Sequence, residues 1–353
     1  MSKQEVIICR NVGEDLERAV SSHAYDRLFV VADEHTARCC LPLVRDIPCM
    51  RDAVPVCIGV GDMHKNLESL AYVWGQLSEK GATRHSLLVN LGGGMVTDLG
   101  GFAAATFKRG IPYINVPTTL LSMVDAAVGG KTGINFNGLK NEVGAFAPAD
   151  QVLIDCGFVR TLDRDNVLSG YAEMLKHGLI SDTAHWSELL AADMEHIDYD
   201  LLQRLVARSV QVKEDIVAQD PRERGIRKAL NFGHTVGHAF ESFAMMSGRP
   251  VLHGYAVAWG MVCELYLSHV QAGFPSDKLR HTVAFIKENY GRIGFTCRDY
   301  DTLYELMKHD KKNVSAGVVN FTLLADVGDI RIDQTASQET VYELFDFYSE
   351  TMG

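Results

Sequence analysis

The sequence predicts an α/β N-terminal domain on a mostly parallel, Rossmann-like sheet, followed by a mostly α-helical C-terminal domain. Three observations carry that expectation. Short β-branched runs alternate with helical patterns through the first 155 residues, and one such run leads straight into Gly92, Gly93 and Gly94. Beyond about residue 160 the apolar residues recur at helical spacing instead. A chain of 353 residues suits two domains, expected at 1–160 and 161–353.

Strands are expected at residues 6–9, 28–32, 54–58, 86–91, 114–116 and 152–155, with amphipathic helical stretches at 64–80 and 98–108. Strand–helix alternation at this spacing gives parallel βαβ units with helices on both faces. In the second half, helices are expected at 162–180, 199–218, 228–246, 255–271, 277–290 and 339–348, and a single strand at 318–324. A cleft between two such domains is the expected meeting place of cofactor and substrate.

Composition narrows the function classes. With 47% hydrophobic and 22% charged residues, the chain is neither disordered nor low-complexity. Lys+Arg 34 against Asp+Glu 45 leaves a net charge of −11, which argues against nucleic acid or an anionic membrane as partner. A small anion could still bind, but only where cations gather locally. The eight cysteines (Cys9, Cys39, Cys40, Cys49, Cys57, Cys156, Cys263, Cys297) form no C-x-x-C pair and read as reduced thiols. No signal peptide or membrane span is expected, so the predicted location is the cytoplasm.

The strand ending Val89-Asn90-Leu91 before Gly92-Gly93-Gly94 and Met95-Val96-Thr97-Asp98 would let backbone N–H groups approach a phosphate at a helix N-terminus. The G-x-G-x-x-G frame fails at Thr97, so a tight βα turn and a nucleotide site both remain open. Val116-Pro117-Thr118-Thr119 makes a second strand end with two hydroxyls. Lys131 and Lys140 lie in glycine-rich, otherwise apolar surroundings that follow Asp125, and form the local cation cluster that an anion requires. Taken singly, each is equally an ordinary solvated lysine.

His234 and His238 stand at i, i+4 on one helical face, His253 opens the next helix, and Glu173 sits in an otherwise apolar helix. A lone histidine is more often structural than a ligand. These three differ in sharing glycine-flanked helical positions within twenty residues. Two imidazoles and a carboxylate leave an open position that suits a catalytic zinc, although spacing does not choose among the three histidines. The absence of Glu after the first His argues against a zinc protease.

Seven segments in order across residues 59–324 carry a resemblance: GGGMVTDLGGF, RGIPYINVPTTLLSMVDAAVGGKTGIN, LKNEVGAF, GYAEMLKHGLI, NFGHTVGHAFE, LHGYAV and MKHDKKN. Together they resemble the 3-dehydroquinate synthase family of sugar-phosphate cyclases. The resemblance implies a homodimeric lyase of the shikimate pathway that turns 3-deoxy-D-arabino-heptulosonate 7-phosphate into 3-dehydroquinate and phosphate. In that reaction NAD+ transiently oxidises C5, phosphate is eliminated, the hydride is returned and an intramolecular aldol closes the ring. It also implies one divalent metal, zinc or cobalt, as a Lewis acid.

By this resemblance the metal ligands are Glu173, His234 and His253, with His238 a proton-relay or phosphate-side group. The phosphorylated keto-acid substrate would meet Lys131, Lys140, Asn141, Lys176, Lys213, Arg227, Asn231 and Lys311. Asp125 would join their polar network, and Arg109 would reach the neighbouring subunit's site. NAD would be held by Asp33, Asp62, Lys65, Gly92, Gly93, Gly94, Asp98, Thr118, Thr119, Lys131, Lys140 and Thr161. Asp33 after the second strand suits ribose hydroxyls and so NAD over NADP. Three departures stand out: Tyr255 where the family carries Glu, Asp62 for Glu, and His35 for Asn. The alternatives are a cyclase for a neutral sugar phosphate and a metal-dependent polyol dehydrogenase of the same fold.

Overall fold

A computed structural model describes residues 4–308 and 319–353. Its contacts divide the chain into two compact units, Met1–Asp163 and Arg164–Gly353.

The first unit contains β1 (Glu5–Ile8), β2 (Leu28–Asp33), β3 (Val54–Ile58), β4 (Leu87–Gly92), β5 (Tyr113–Pro117), β6 (Lys131–Phe136), β7 (Leu139–Phe146) and β8 (Gln151–Ile154). Its helices are α1 (Val12–Ser21), α2 (Glu34–Cys39), α3 (Leu41–Val44), α4 (Leu67–Glu79) and α5 (Gly94–Thr106). Six strands form one sheet in the order β1-β8-β5-β4-β2-β3, and every neighbouring pair is parallel. The strands β2 and β4 are buried at every residue, as expected of parallel strands covered on both faces. The chain steps from β2 outward to β3 and then back to β4 on the other side of β2. Where strand order reverses in this way, the carboxyl ends of the strands leave a crevice for a ligand. Asp33, Gly92 and Pro117 are those ends.

No strand is expected in the segment carrying Lys131 and Lys140. That segment is the antiparallel hairpin β6–β7, running from the pair Lys131 and Phe146 to Phe136 and Leu139. Nearly all of β7 is exposed, so it never shows the buried alternation by which a strand is read from sequence.

The second unit contains α6 (Arg164–Ser181), α7 (Thr183–Leu190), α8 (Tyr199–Gln219), α9 (His234–Met246), α10 (His253–Ala272), α11 (Ser276–Tyr290), α12 (Tyr300–Lys308) and α13 (Gln338–Met352). Two antiparallel strands, β9 (Asn320–Asp326) and β10 (Asp329–Thr335), complete it. The single strand expected at 318–324 thus has a partner, missed because β10 alternates only between exposed and half-buried residues. The helix expected at 228–246 is broken into a 3-10 turn, Ile226–Asn231, and α9. Gly233 breaks it, with φ of 80° in the left-handed region that favours glycine. Packing also demands glycine there, since a Cβ would lie 2.6 Å from Met261 Cγ.

All eight cysteines are free thiols. Among the described residues, no helix is long and apolar enough to cross a membrane.

His185 on α7 is fully buried and its Nε2 lies 3.0 Å from Ser209 Oγ on α8. Burial, helped by the Arg208 charge, pushes the imidazole down from 6.5 to about 4. Between those values the unfolded chain takes up a proton that the folded one refuses, so stability drops as pH falls from 6.5 toward 4. Urea unfolding across this window should therefore give a shallower loss of stability in His185→Gln than in wild type. Parallel curves would show that His185 is not the group responsible.

Candidate metal and nucleotide sites

In the second unit, Glu173 lies on the third turn of α6 and is completely buried. Its Oε1 is 3.3 Å from both His234 Nε2 and His253 Nε2. Its Oε2 pairs with the buried Lys176 ammonium one turn further on. Burial alone would raise the Glu173 pKa. The Lys176 charge, the His234 charge and hydrogen bonds from both imidazoles outweigh it and hold the carboxyl well below its usual range. His253 is affected in the opposite sense. Burial would lower it, but hydrogen bonds to Glu173 and Glu241 and their charges raise it from 6.5 to about 9.

Three features of the sequence bring these side chains together. Glu264, fully buried on α10, accepts from the backbone N–H groups of Gly233 at 2.7 Å and Val236 at 3.1 Å. It thereby fixes the N-terminus of α9, where negative charge is favoured. Ser169 Oγ, one turn before Glu173 on α6, accepts from Gly254 N at 3.1 Å and so anchors the start of α10 beside α6. Phe232 O, which can only accept, lies 3.1 Å from His234 Nδ1 and requires that nitrogen to carry the proton. When the ring is neutral, its Nε2 lone pair then faces the Glu173 carboxylate.

Lone pairs from two imidazoles and a carboxylate cannot converge in this way without a positive charge among them. Protons on the rings, or one shared cation, would supply it. The ligand atoms of Glu173, His234 and His253 lie within 4.8 Å of one another, and a carboxylate with two imidazoles is a donor set that fits zinc or cobalt. His238 packs beside them, with ring centroids 5.4 Å from His234 and 5.9 Å from His253, yet it is not one of the three. The geometry offers Glu173, His234 and His253 as a candidate donor set, a distinction that spacing does not draw.

Buried cations surround the same helices. Lys176 on α6, Lys213 on α8 and Arg227 on the 3-10 turn are all buried, and these three elements pack on one another. Arg227 donates from Nη1 to Pro221 O at 2.8 Å. Asn231 donates from Nδ2 to Glu223 Oε1 at 3.1 Å. The loop that delivers Arg227 is organised by Asp220, whose carboxylate accepts from the N–H groups of Arg224, Gly225 and Arg227 at 3.0, 2.7 and 3.2 Å. The Asp220-Pro221 pair is a turn signal that could have marked it. Glu264 could have been found as the lone acid in an apolar helical stretch. Lys311 lies outside the described residues.

In the first unit, five residues expected near a nucleotide or substrate form one network. Buried Lys65 donates from Nζ to Asp98 Oδ2 and to Asn141 Oδ1, each at 2.5 Å. Lys140 Nζ lies 3.5 Å from Asp62 Oδ2. Asn135, which the sequence did not single out, ties the network together. Its Nδ2 donates to Asp62 Oδ2 at 3.2 Å, and its Oδ1 accepts from Asn141 N at 2.9 Å. Asn141 has φ of 51°, one of few non-glycine residues in the left-handed region.

Gly93 caps α5 without a side-chain hydrogen bond, at the end of β4. Asp33, at the end of neighbouring β2, caps α2 by accepting from Thr36 N at 2.8 Å. Two residues before the glycine turn, buried Asn90 donates to Asn115 Oδ1 at 2.9 Å and locks β4 to β5. Thr118, just beyond β5, is buried, whereas the Thr119 hydroxyl bonds Ser122 Oγ at 2.9 Å. Asp125 follows in the π-helical turn Ser122–Ala126, and Lys131 is exposed at the start of β6. Thr161 donates to Phe158 O at 2.7 Å, and Arg109 is exposed with φ of 71°.

Two family models match the chain, described as 3-dehydroquinate synthase N-terminal over residues 55–169 and 3-dehydroquinate synthase C-terminal over residues 170–313. A curated 3-dehydroquinate synthase of Parabacteroides distasonis is 58% identical over 353 residues, all of both chains. Among solved structures, 2-epi-5-epi-valiolone synthase from Streptomyces hygroscopicus subsp. jinggangensis, with NAD+ and Zn2+ bound, superposes with a TM-score of 0.86 at 24% identity. It covers 99% of this chain and 98% of its own. A 2-deoxy-scyllo-inosose synthase complexed with carbaglucose-6-phosphate, NAD+ and Co2+ gives 0.85 at 21% identity, covering 97% and 95%. At these identities the two structures establish the shared fold.

Replacing Glu264 by Ala leaves two buried N–H donors at the head of α9 without their acceptor. A loss of about 2–4 kcal/mol is expected in urea unfolding. A change below about 0.5 kcal/mol would mean that water or another group serves those donors equally well.

Proposed function

The chain belongs to the 3-dehydroquinate synthase family, and from that premise we propose how its residues serve the conversion of 3-deoxy-D-arabino-heptulosonate 7-phosphate to 3-dehydroquinate and phosphate. The reaction is a carbon–oxygen lyase step followed by ring closure. The observation that carries the reading is the convergence of Glu173, His234 and His253 on one point, beside buried Lys176.

In this proposal Glu173, His234 and His253 hold one divalent metal. The strand ends at Asp33, the Gly92–Gly93–Gly94 turn and Thr118–Thr119, with the Lys65–Asp98–Asn141 network, hold NAD+. Thr161 and Asp62 complete its surroundings. When bound, the two groups supply a reversible hydride acceptor and a Lewis acid. The chain's own residues supply binding and proton handling. Lys213 and Arg227 neutralise the substrate's anionic ends in buried surroundings, where a guanidinium can hold two oxygens in one plane. Asn231 orients a hydroxyl, Lys131, Lys140 and Lys311 meet the remaining charge, and Asp125 steadies them. His238, adjacent to the ligand set but outside it, carries protons during elimination. The enzyme works as a cytoplasmic homodimer, with Arg109 reaching the partner subunit's site. The 1–160 domain binds NAD and the 161–353 domain binds metal and substrate.

Zinc-loaded protein with the heptulosonate phosphate and catalytic NAD should release phosphate and 3-dehydroquinate in equal amounts, without net NADH. Cyclisation of a neutral sugar phosphate alone, or stoichiometric NADH from glycerol, would overturn the assignment. Arg227→Ala should raise KM by about 30-fold or more, because a buried charged contact to substrate is lost. Arg227→Lys should recover only part of it, since it keeps the charge without the planar fork. An unchanged KM in both variants would remove Arg227 from the substrate's surroundings.

A further inference from the structure

Glu241 has no part in the function proposed above, yet it is buried on the helix that carries His234. Seven residues separate the two, which places them on the same stripe of α9. The Glu241 Oε2 lies 3.4 Å from His253 Nδ1, while His253 Nε2 faces Glu173 Oε1 at 3.3 Å. The two edges of the His253 ring are thus taken by two carboxylates from different helices.

The two histidines are held in parallel ways. His234 gives its Nδ1 proton to the backbone carbonyl of Phe232. His253 opens α10 at the N-terminus, and Leu252 before it provides no side-chain cap. Its ring is also the more exposed of the two, 29% against 10%. Nor does its helix neighbour Tyr255 serve it, because the Tyr255 hydroxyl donates to Asp165 Oδ1 at 2.9 Å. Glu241 is the acceptor that lies against the Nδ1 edge.

We propose that Glu241 is a positioning residue for His253: by accepting the Nδ1 proton it fixes the tautomer and turns the Nε2 lone pair toward the point that Glu173 and His234 share. A carboxylate in this role also makes the ring a better donor and is a recurrent partner of metal-bound histidine. The proposal rests on the reading that Glu173, His234 and His253 hold a divalent metal.

The test uses full-length protein stripped with a chelator and titrated with zinc against a chromophoric competitor. Wild type, Glu241→Ala, Glu241→Gln and His253→Ala are compared, with thermal unfolding of each stripped protein alongside. Glu241→Ala should bind zinc about 10- to 100-fold more weakly than wild type. Glu241→Gln should fall between them, since an amide oxygen still accepts the proton but carries no charge. The stripped proteins should melt at similar temperatures, which a purely structural role for Glu241 would not allow. Zinc affinity within about twofold of wild type in both Glu241 variants overturns the proposal, and if the Ala variant does not fold, Gln decides in the same way. Those outcomes leave the metal reading intact. Failure of wild type to retain zinc, or equal retention by His253→Ala, overturns that reading and the proposal with it.

Discussion

The carboxylate of Glu173 sets the terms for the second unit. An ionised carboxylate with no solvent exposure costs several kcal/mol unless partners surround it, and here those partners are the Lys176 ammonium and two imidazoles. Each partner comes from a different place in the chain, so the helices α6, α9 and α10 must meet within a few ångströms. The remaining architecture meets that demand. Ser169 ties the head of α10 to α6, and Glu264 ties the head of α9 to α10. Gly233, Gly254 and Gly260 let the backbones touch: a Cβ on Gly260 would lie 2.0 Å from Gly233 O, and one on Gly254 would lie 1.9 Å from Ser169 O.

The first unit solves a different problem with similar means. Its sheet offers a crevice where β2 and β4 part company, and the ends of those strands carry small or capping residues rather than bulky ones. Lys65, buried in the same unit, is kept in place by Asp98 and Asn141. Lys65 also holds the hairpin β6–β7 in position, because its carbonyl accepts from Asn135 N at 2.7 Å. The net charge of −11 conceals both arrangements, since the acidic excess is spread over the whole chain while the buried cations are few and localised.

What could be read from the sequence follows from what burial imprints on it. The six strands of the parallel sheet were legible to within a residue or two, because buried parallel strands are runs of apolar, β-branched residues. The strands β7 and β10 left no such trace, being exposed or alternating weakly. For the site, residue type and spacing marked Glu173, His234, His238 and His253 as a set but did not rank them. Which rings face Glu173 depends on ring orientation, set for His234 by Phe232 O and by the cap from Glu264. Asn135 and Glu241 were invisible for a plainer reason. Each acts through contacts with residues distant in sequence or on another element, and a single polar side chain has no pattern of its own.

Tyr255 belongs to the frame around His253 rather than to its electrostatics. A carboxylate at that position would add negative charge within two residues of His253. Tyrosine brings none, and its hydroxyl instead reaches Asp165 in the first turn of α6. Its ring meets Trp259 and Tyr290 edge-on, with centroids 6.0 and 5.2 Å away. The hydroxyl contact joins the same two helices, α6 and α10, that Ser169 and Gly254 join one turn deeper, while the ring contacts run within α10 and across to α11. The side chain at 255 thus serves the frame that positions the histidine and adds no charge beside it. Glu173 and Glu241 are the two acids on the ring, one on each side, so both nitrogens of His253 are accounted for without a carboxylate at 255.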